Sequence, residues 1–166
     1  MKRIITIIAL GLAAAVMSAQ TPKNVRYVFT EASDLNLIGK IIEGTPNPYH
    51  RVDTVRYKGF TKGENQKVRY SAGLAVLFKT NSTTISVKSV YGVCNTPTAN
   101  TMIASQGFDL YIKDGKDWKY AASGVNEESK KNANRVLIKN MDGKEKECML
   151  YLPMNSEMYS VKIGIQ

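Results

Sequence analysis

Apolar and polar residues alternate along much of this chain with the two-residue period of half-buried strands. Ile85, Val87 and Tyr91 alternate with Ser86 and Lys88, and Tyr159, Val161, Ile163 and Ile165 repeat the pattern near the C-terminus. Val68 to Thr80 is the most apolar run. Leu74, Val76 and Phe78 share one of its faces and Ala75 and Leu77 the other, as in a central sandwich strand. Tyr27–Thr30 and Leu35–Ile41 supply earlier strands, and Tyr49 to Tyr57 reads as extended. Lys58 to Lys67 and Gly92 to Gln106 read as polar connections, and helix is limited to one turn within Asn126 to Asn134. About nine to eleven short strands divided by turn residues predict an all-β fold, an antiparallel β-sandwich or jelly roll.

Two Asp-Gly pairs sharpen this reading. Gly107 to Tyr120 reads as a β-hairpin, because Asp-Gly between alternating runs is a strong hairpin signal. A two-residue Asp114-Gly115 loop would set Leu110 against Lys119. A three-residue Lys113-Asp114-Gly115 loop pairs Leu110 with Trp118 and Phe108 with Tyr120 on a core face. It then pairs Asp109 with Lys119 and Tyr111 with Asp117 outside, with Gly115 in a left-handed bulge position. That register is the expected one. By the same logic, Val136 to Leu150 forms a second hairpin around Met141-Asp142-Gly143, with Val136 opposite Cys148 and Lys139 opposite Glu145.

Gly107-Phe108-Asp109-Leu110-Tyr111 resembles the Gly-x-Asp-Leu-Tyr signature of the domain that precedes SGNH (GDSL-like) hydrolases in Bacteroidetes. The resemblance extends over roughly Ala32 to Gln166. It includes Tyr49-His50-Arg51-Val52-Asp53, Ser71-Ala72-Gly73-Leu74, Phe78-Lys79-Thr80-Asn81 and Glu147-Cys148-Met149-Leu150-Tyr151-Leu152-Pro153. It implies a β-sandwich partnered by an SGNH catalytic domain that carries the nucleophile, and acylated carbohydrate as the substrate class. The sequence reaches Gln166 before any catalytic block, as expected of a fragment or a truncated product.

Lys2 and Arg3, the apolar run Ile4 to Val16, and Ser18-Ala19 read as a signal peptide over residues 1–20, too short for a membrane span. The single sandwich domain is then residues 21–166, exported to the periplasm or outside the cell. The formal charge is +9, of which Lys2 and Arg3 belong to the leader. The remaining basic residues are scattered, which argues for a solvated surface rather than nucleic-acid binding. Export permits a disulfide between Cys94 and Cys148; two separate thiols also fit the sequence.

Candidate chemistry is sparse. His50, the only histidine, has no Gly-x-Ser-x-Gly elbow, Gly-Asp-Ser block or Asp-x-x-His pair beside it. It reads as a surface or interface residue, and no catalytic residue is assigned. One histidine and two distant cysteines do not make a zinc site, a calcium site built from loop carboxylates and carbonyls needs no motif and stays an alternative, and no cofactor is implied. Asp109 reads as a surface ion pair or a functional carboxylate. Asp109, Tyr111, Tyr151, His50 and Arg51 are therefore binding or domain-interface candidates. The chain reads as a non-catalytic accessory domain of an esterase-like SGNH hydrolase that docks on its catalytic domain and helps shape the substrate site. A free-standing secreted carbohydrate-binding module is the alternative.

Overall fold

The computed structural model describes residues 26–95, 101–126 and 134–166. Among the described residues, nine strands form two antiparallel sheets. They are β1 (Val28–Glu31), β2 (Asn36–Ile38), β3 (Ala75–Thr80), β4 (Ile85–Cys94), β5 (Gly107–Asp114), β6 (Asp117–Val125), β7 (Arg135–Ile138), β8 (Lys146–Tyr151) and β9 (Ser156–Ile165). One sheet has the order β1-β9-β4-β7 and the other β2-β3-β8-β5-β6. The alternating runs become strands because each has one apolar face to bury. Val76, Phe108, Leu110 and Leu150 from one sheet meet Ile85, Val87, Val161 and Ile163 from the other, and all eight are buried in one core. The expected all-β sandwich is the observed fold.

The local expectations divide. β5 and β6 do form a hairpin, but its loop is Gly115-Lys116, with Asp114 paired to Asp117. Gly115 adopts φ +61°, which suits glycine at the first central position of a two-residue loop. The ladder then shifts between Leu110 and Tyr111, because Tyr111 pairs with Tyr120 and Leu110 with Ala122, leaving Ala121 as the extra residue. Trp118 thus faces Lys113 rather than Leu110, and Tyr120 faces Tyr111 rather than Phe108. Asp109 pairs with Ser123, not with Lys119, and the Lys119 ammonium lies near Asp117 instead.

The second expected hairpin does not exist. β7 pairs with β4 in one sheet, while β8 pairs with β3 and β5 in the other, so the segment around Asp142-Gly143 crosses between sheets. Asn140 takes φ +62° in this crossing, and Met141 N–H bonds the Thr83 carbonyl.

Tyr49 to Tyr57 is turns rather than a strand, and the run from Val68 becomes a strand only at Ala75. Two short helices were not anticipated: α1 (Lys62–Lys67) and α2 (Met102–Gln106). Thr61 and Glu64 cap α1 reciprocally, the Glu64 carboxylate accepting from the Thr61 N–H at 2.8 Å. Residues 127–133 of the one anticipated helical turn, and the expected leader, lie outside the described residues. Cys94 and Cys148 fall in different sheets and form no disulfide; burial pushes the Cys148 thiol up to about 11.

Candidate functional site

The β5–β6 register decides what the five-stranded sheet shows to solvent. Residues opposite one another share a face. Asn36, Leu77, Met149, Tyr111 and Tyr120 therefore form one transverse row on the outer surface. Ile38, Ala75, Tyr151, Asp109 and Ser123 form the next. Tyr111 lies at the centre of an aromatic cluster. Its ring centroid is 5.9 Å from Tyr120 and 5.8 Å from Tyr151, edge-on at 77° in both pairs. Each such pair adds about 0.5–1.5 kcal/mol beyond its buried area. Tyr120 is 60% exposed and Tyr151 38%. Beyond Tyr111, Glu147 accepts from the Lys113 ammonium at 2.7 Å and lies 3.5 Å from Lys79. The Lys113 bond holds the Glu147 carboxyl below its usual range. The same ammonium sits 5.8 Å from the centre of the half-buried Trp118 ring.

The pentapeptide Gly107–Tyr111 divides between core and surface. Phe108 and Leu110 point inward and are fully buried. Asp109 and Tyr111 point outward, as strand alternation requires. Gly107 permits the approach of α2: a Cβ there would lie 2.1 Å from the Ile103 carbonyl oxygen, which accepts the Gly107 N–H. Gly107, Asp109 and Tyr111 line one groove of about 550 Å³. Tyr151, Ile103 and Met154 extend its walls. Among the described residues, the Asp109 carboxylate has no ion pair or side-chain hydrogen bond, so the expected Lys119 pair is replaced by an open carboxylate beside two tyrosines.

The other two candidates lie elsewhere. His50 Nε2 is 2.8 Å from Oε1 of Glu157, a carboxylate with 2% side-chain exposure, and Arg69 Nη1 approaches the same oxygen at 3.3 Å. The Val93 N–H donates to Oε2 at 3.2 Å. Burial pulls the His50 imidazole below its ordinary range, and Arg69 and Lys40 reinforce this against the pull of Glu157. Among the described residues no serine hydroxyl bonds His50. The histidine is thus one member of a largely buried charge cluster, with 16% of its side chain exposed. Arg51 donates to the carbonyls of Lys67 at 2.7 Å and Tyr70 at 2.9 Å, and so caps the end of α1.

The structure therefore unites Asp109, Tyr111 and Tyr151, and separates them from His50 and Arg51. Sequence reasoning missed Tyr120 and Trp118 on the outer face, Ile103 and Met154 on the groove, and the buried Glu157. The Gly115-first loop was the available signal for the two aromatics; Glu157 sits on an alternating strand and gives none. Among the described residues, no three histidine, cysteine, aspartate or glutamate side chains gather as metal ligands. No described helix is long and apolar enough to cross a membrane.

Comparison with known proteins converges on the same pentapeptide. The family model described as GxDLY: N-terminus of Esterase_SGNH_hydro-type matches residues 25–166. A crystal structure of a GDSL-like lipase from Bacteroides ovatus superposes with a TM-score of 0.79 at 35% sequence identity. The match covers 85% of this chain and 41% of that one, so this chain spans about two fifths of the lipase. No curated protein matches the sequence.

Proposed function

The chain belongs to the GxDLY family, the N-terminus of SGNH-hydrolase-type esterases, and from that premise we propose that it is a non-catalytic accessory domain. It docks on an SGNH catalytic domain through the outer face of its five-stranded sheet and helps shape the substrate site there. The observation that carries this reading is the fate of the family signature. Its outward side chains, Asp109 and Tyr111, serve neither the core nor an ion pair; they join Tyr120 and Tyr151 in one exposed aromatic face. Exposed contiguous apolar surface of this kind marks interaction sites. We further propose export, on the basic and apolar start of the chain, and acylated carbohydrates as the substrates of the assembled hydrolase.

The exposed tyrosines also favour the second reading, a free-standing carbohydrate-binding module. The ring geometry weighs against it: both tyrosine pairs meet at 77°, so adjacent rings do not form one flat stacking platform.

The test has two parts. Purified protein is assayed with p-nitrophenyl acetate and acetylated xylan, and no turnover above buffer is expected. Saturable turnover, abolished by a serine-directed inhibitor, overturns the non-catalytic reading. The protein is then mixed with the part of the Bacteroides ovatus lipase beyond the matched region. Broadening of Tyr111, Tyr120 and Tyr151 NMR signals is expected, and unchanged spectra overturn docking by this face.

A further inference from the structure

We propose that the groove beside Asp109 is a receptor for an arginine side chain presented by the catalytic domain. This rests on the docking reading and names the chemistry of the contact. The groove, at about 550 Å³, falls in the range of pockets that enclose a ligand group. Its charged lining is one carboxylate, Asp109, and no lysine or arginine contributes to it. Ile103, Leu152 and Met154 supply apolar walls. Tyr111 and Tyr151 supply two rings 5.8 Å apart.

This set matches a guanidinium on a methylene stem. The stem lies on the aliphatic wall, the planar head forms paired hydrogen bonds with the carboxylate, and the ring faces attract the cation. A sugar would need several donors and acceptors around its hydroxyls, and here the side-chain donors are two phenols. Among the described residues, several exposed carboxylates carry no ion pair, and Asp109 is the one that lines this groove, in a chain whose formal charge is +9. The open carboxylate is complementary to a cation from outside.

The test is an NMR titration of the protein with N-acetyl-arginine amide. N-acetyl-norleucine amide and xylobiose are run in parallel. Saturable shifts are expected at Gly107, Asp109, Tyr111 and Tyr151 with the arginine compound alone, weakening as salt is added. Asp109→Asn should weaken binding about tenfold, the scale of one charged hydrogen bond. Asp109 is exposed, so its melting temperature should be unchanged. Tyr151→Leu keeps the carboxylate, removes a ring, and should weaken binding several-fold.

Norleucine amide binding as well as the arginine compound would reduce the groove to an apolar slot. Xylobiose binding in its place would make it a sugar site. Either result overturns the proposal, as does an absence of saturable shifts with all three, or affinity unchanged in both variants. The two readings also fail separately. Docking to the catalytic domain that ignores Asp109→Asn removes the arginine receptor and leaves the docking face. Arginine binding by a chain that ignores the catalytic domain does the reverse.

Discussion

Gly107→Ala tests how the signature builds the groove. The backbone at Gly107 is ordinary, with φ −75°, so the substitution strains no dihedral. The conflict is steric. The new Cβ would lie 2.1 Å from the Ile103 carbonyl oxygen and 2.9 Å from its Cγ1, so α2 must move away from β5. α2 is not free to move. The Ser105 carbonyl accepts from Asn155 N–H at 3.1 Å and from Ser156 Oγ at 2.9 Å, and the Gln106 carbonyl accepts from the Tyr91 hydroxyl at 2.9 Å. Overpacking of this kind costs about 1–3 kcal/mol, and loss of the Ser105 bonds would push the cost to the upper end. For a domain of this size the melting temperature should fall by roughly 4–12 °C. Hydrogen exchange should locate the damage, with protection lost at residues 102–107 and kept in β8 and β9. An alanine variant with wild-type melting and wild-type protection of α2 would refute the close approach on which the groove depends.

Two further predictions test other parts of the structure. Trp118→Ala should cost about 1 kcal/mol or less in urea unfolding, because the ring lies half-buried beside Lys113. A loss of the about 3–5 kcal/mol typical of a core tryptophan would restore the three-residue loop and remove the bulge at Ala121. His50 supplies a pH dependence. Burial makes the folded imidazole less basic than the unfolded one, whose pKa is 6.5, so the unfolded chain takes up its proton first as pH falls. Stability should drop as pH falls through about 6.5, and His50→Gln should flatten that part of the melting-temperature curve. Parallel curves for the two proteins would contradict the assigned direction.

The strands with one apolar and one polar face were legible because burial alone specifies them. β4 and β9 fall where the alternation of Ile85–Tyr91 and Tyr159–Ile165 puts them. Turn chemistry proved less informative than it looked. Asp-Gly marks a reversal but names neither the loop length nor the partner strand. At Gly115 the loop starts two residues later than expected, and one extra residue at Ala121 returns the alternate residues beyond it to the inner face. At Gly143 the reversal carries the chain into the other sheet. Part of the site was legible for a related reason. Asp109, Tyr111 and Tyr151 lie at alternate positions of strands whose inner faces are plainly apolar. Trp118 and Tyr120 were misplaced because the loop sits at Gly115-Lys116 instead of residues 113–115, which exchanges their faces. The Thr61–Glu64 cap was readable, but α1 has six residues and no apolar stripe to support it. The buried Glu157 was beyond reach because its partners, His50 and Arg69, come from distant loops that only the fold brings to it.

The strand order also sets a schedule for folding. β8 separates β3 from β5, and β9 separates β1 from β4, so each sheet is joined by one of the last two strands of the domain. Until residues 146–165 are available, the earlier strands can form only the β2–β3, β5–β6 and β4–β7 pairs, and neither sheet is continuous. A nascent chain stalled before β8 would hold several unpaired edges and little protected structure. Assembly is therefore a late, near-simultaneous closure of both sheets rather than growth from the N-terminus.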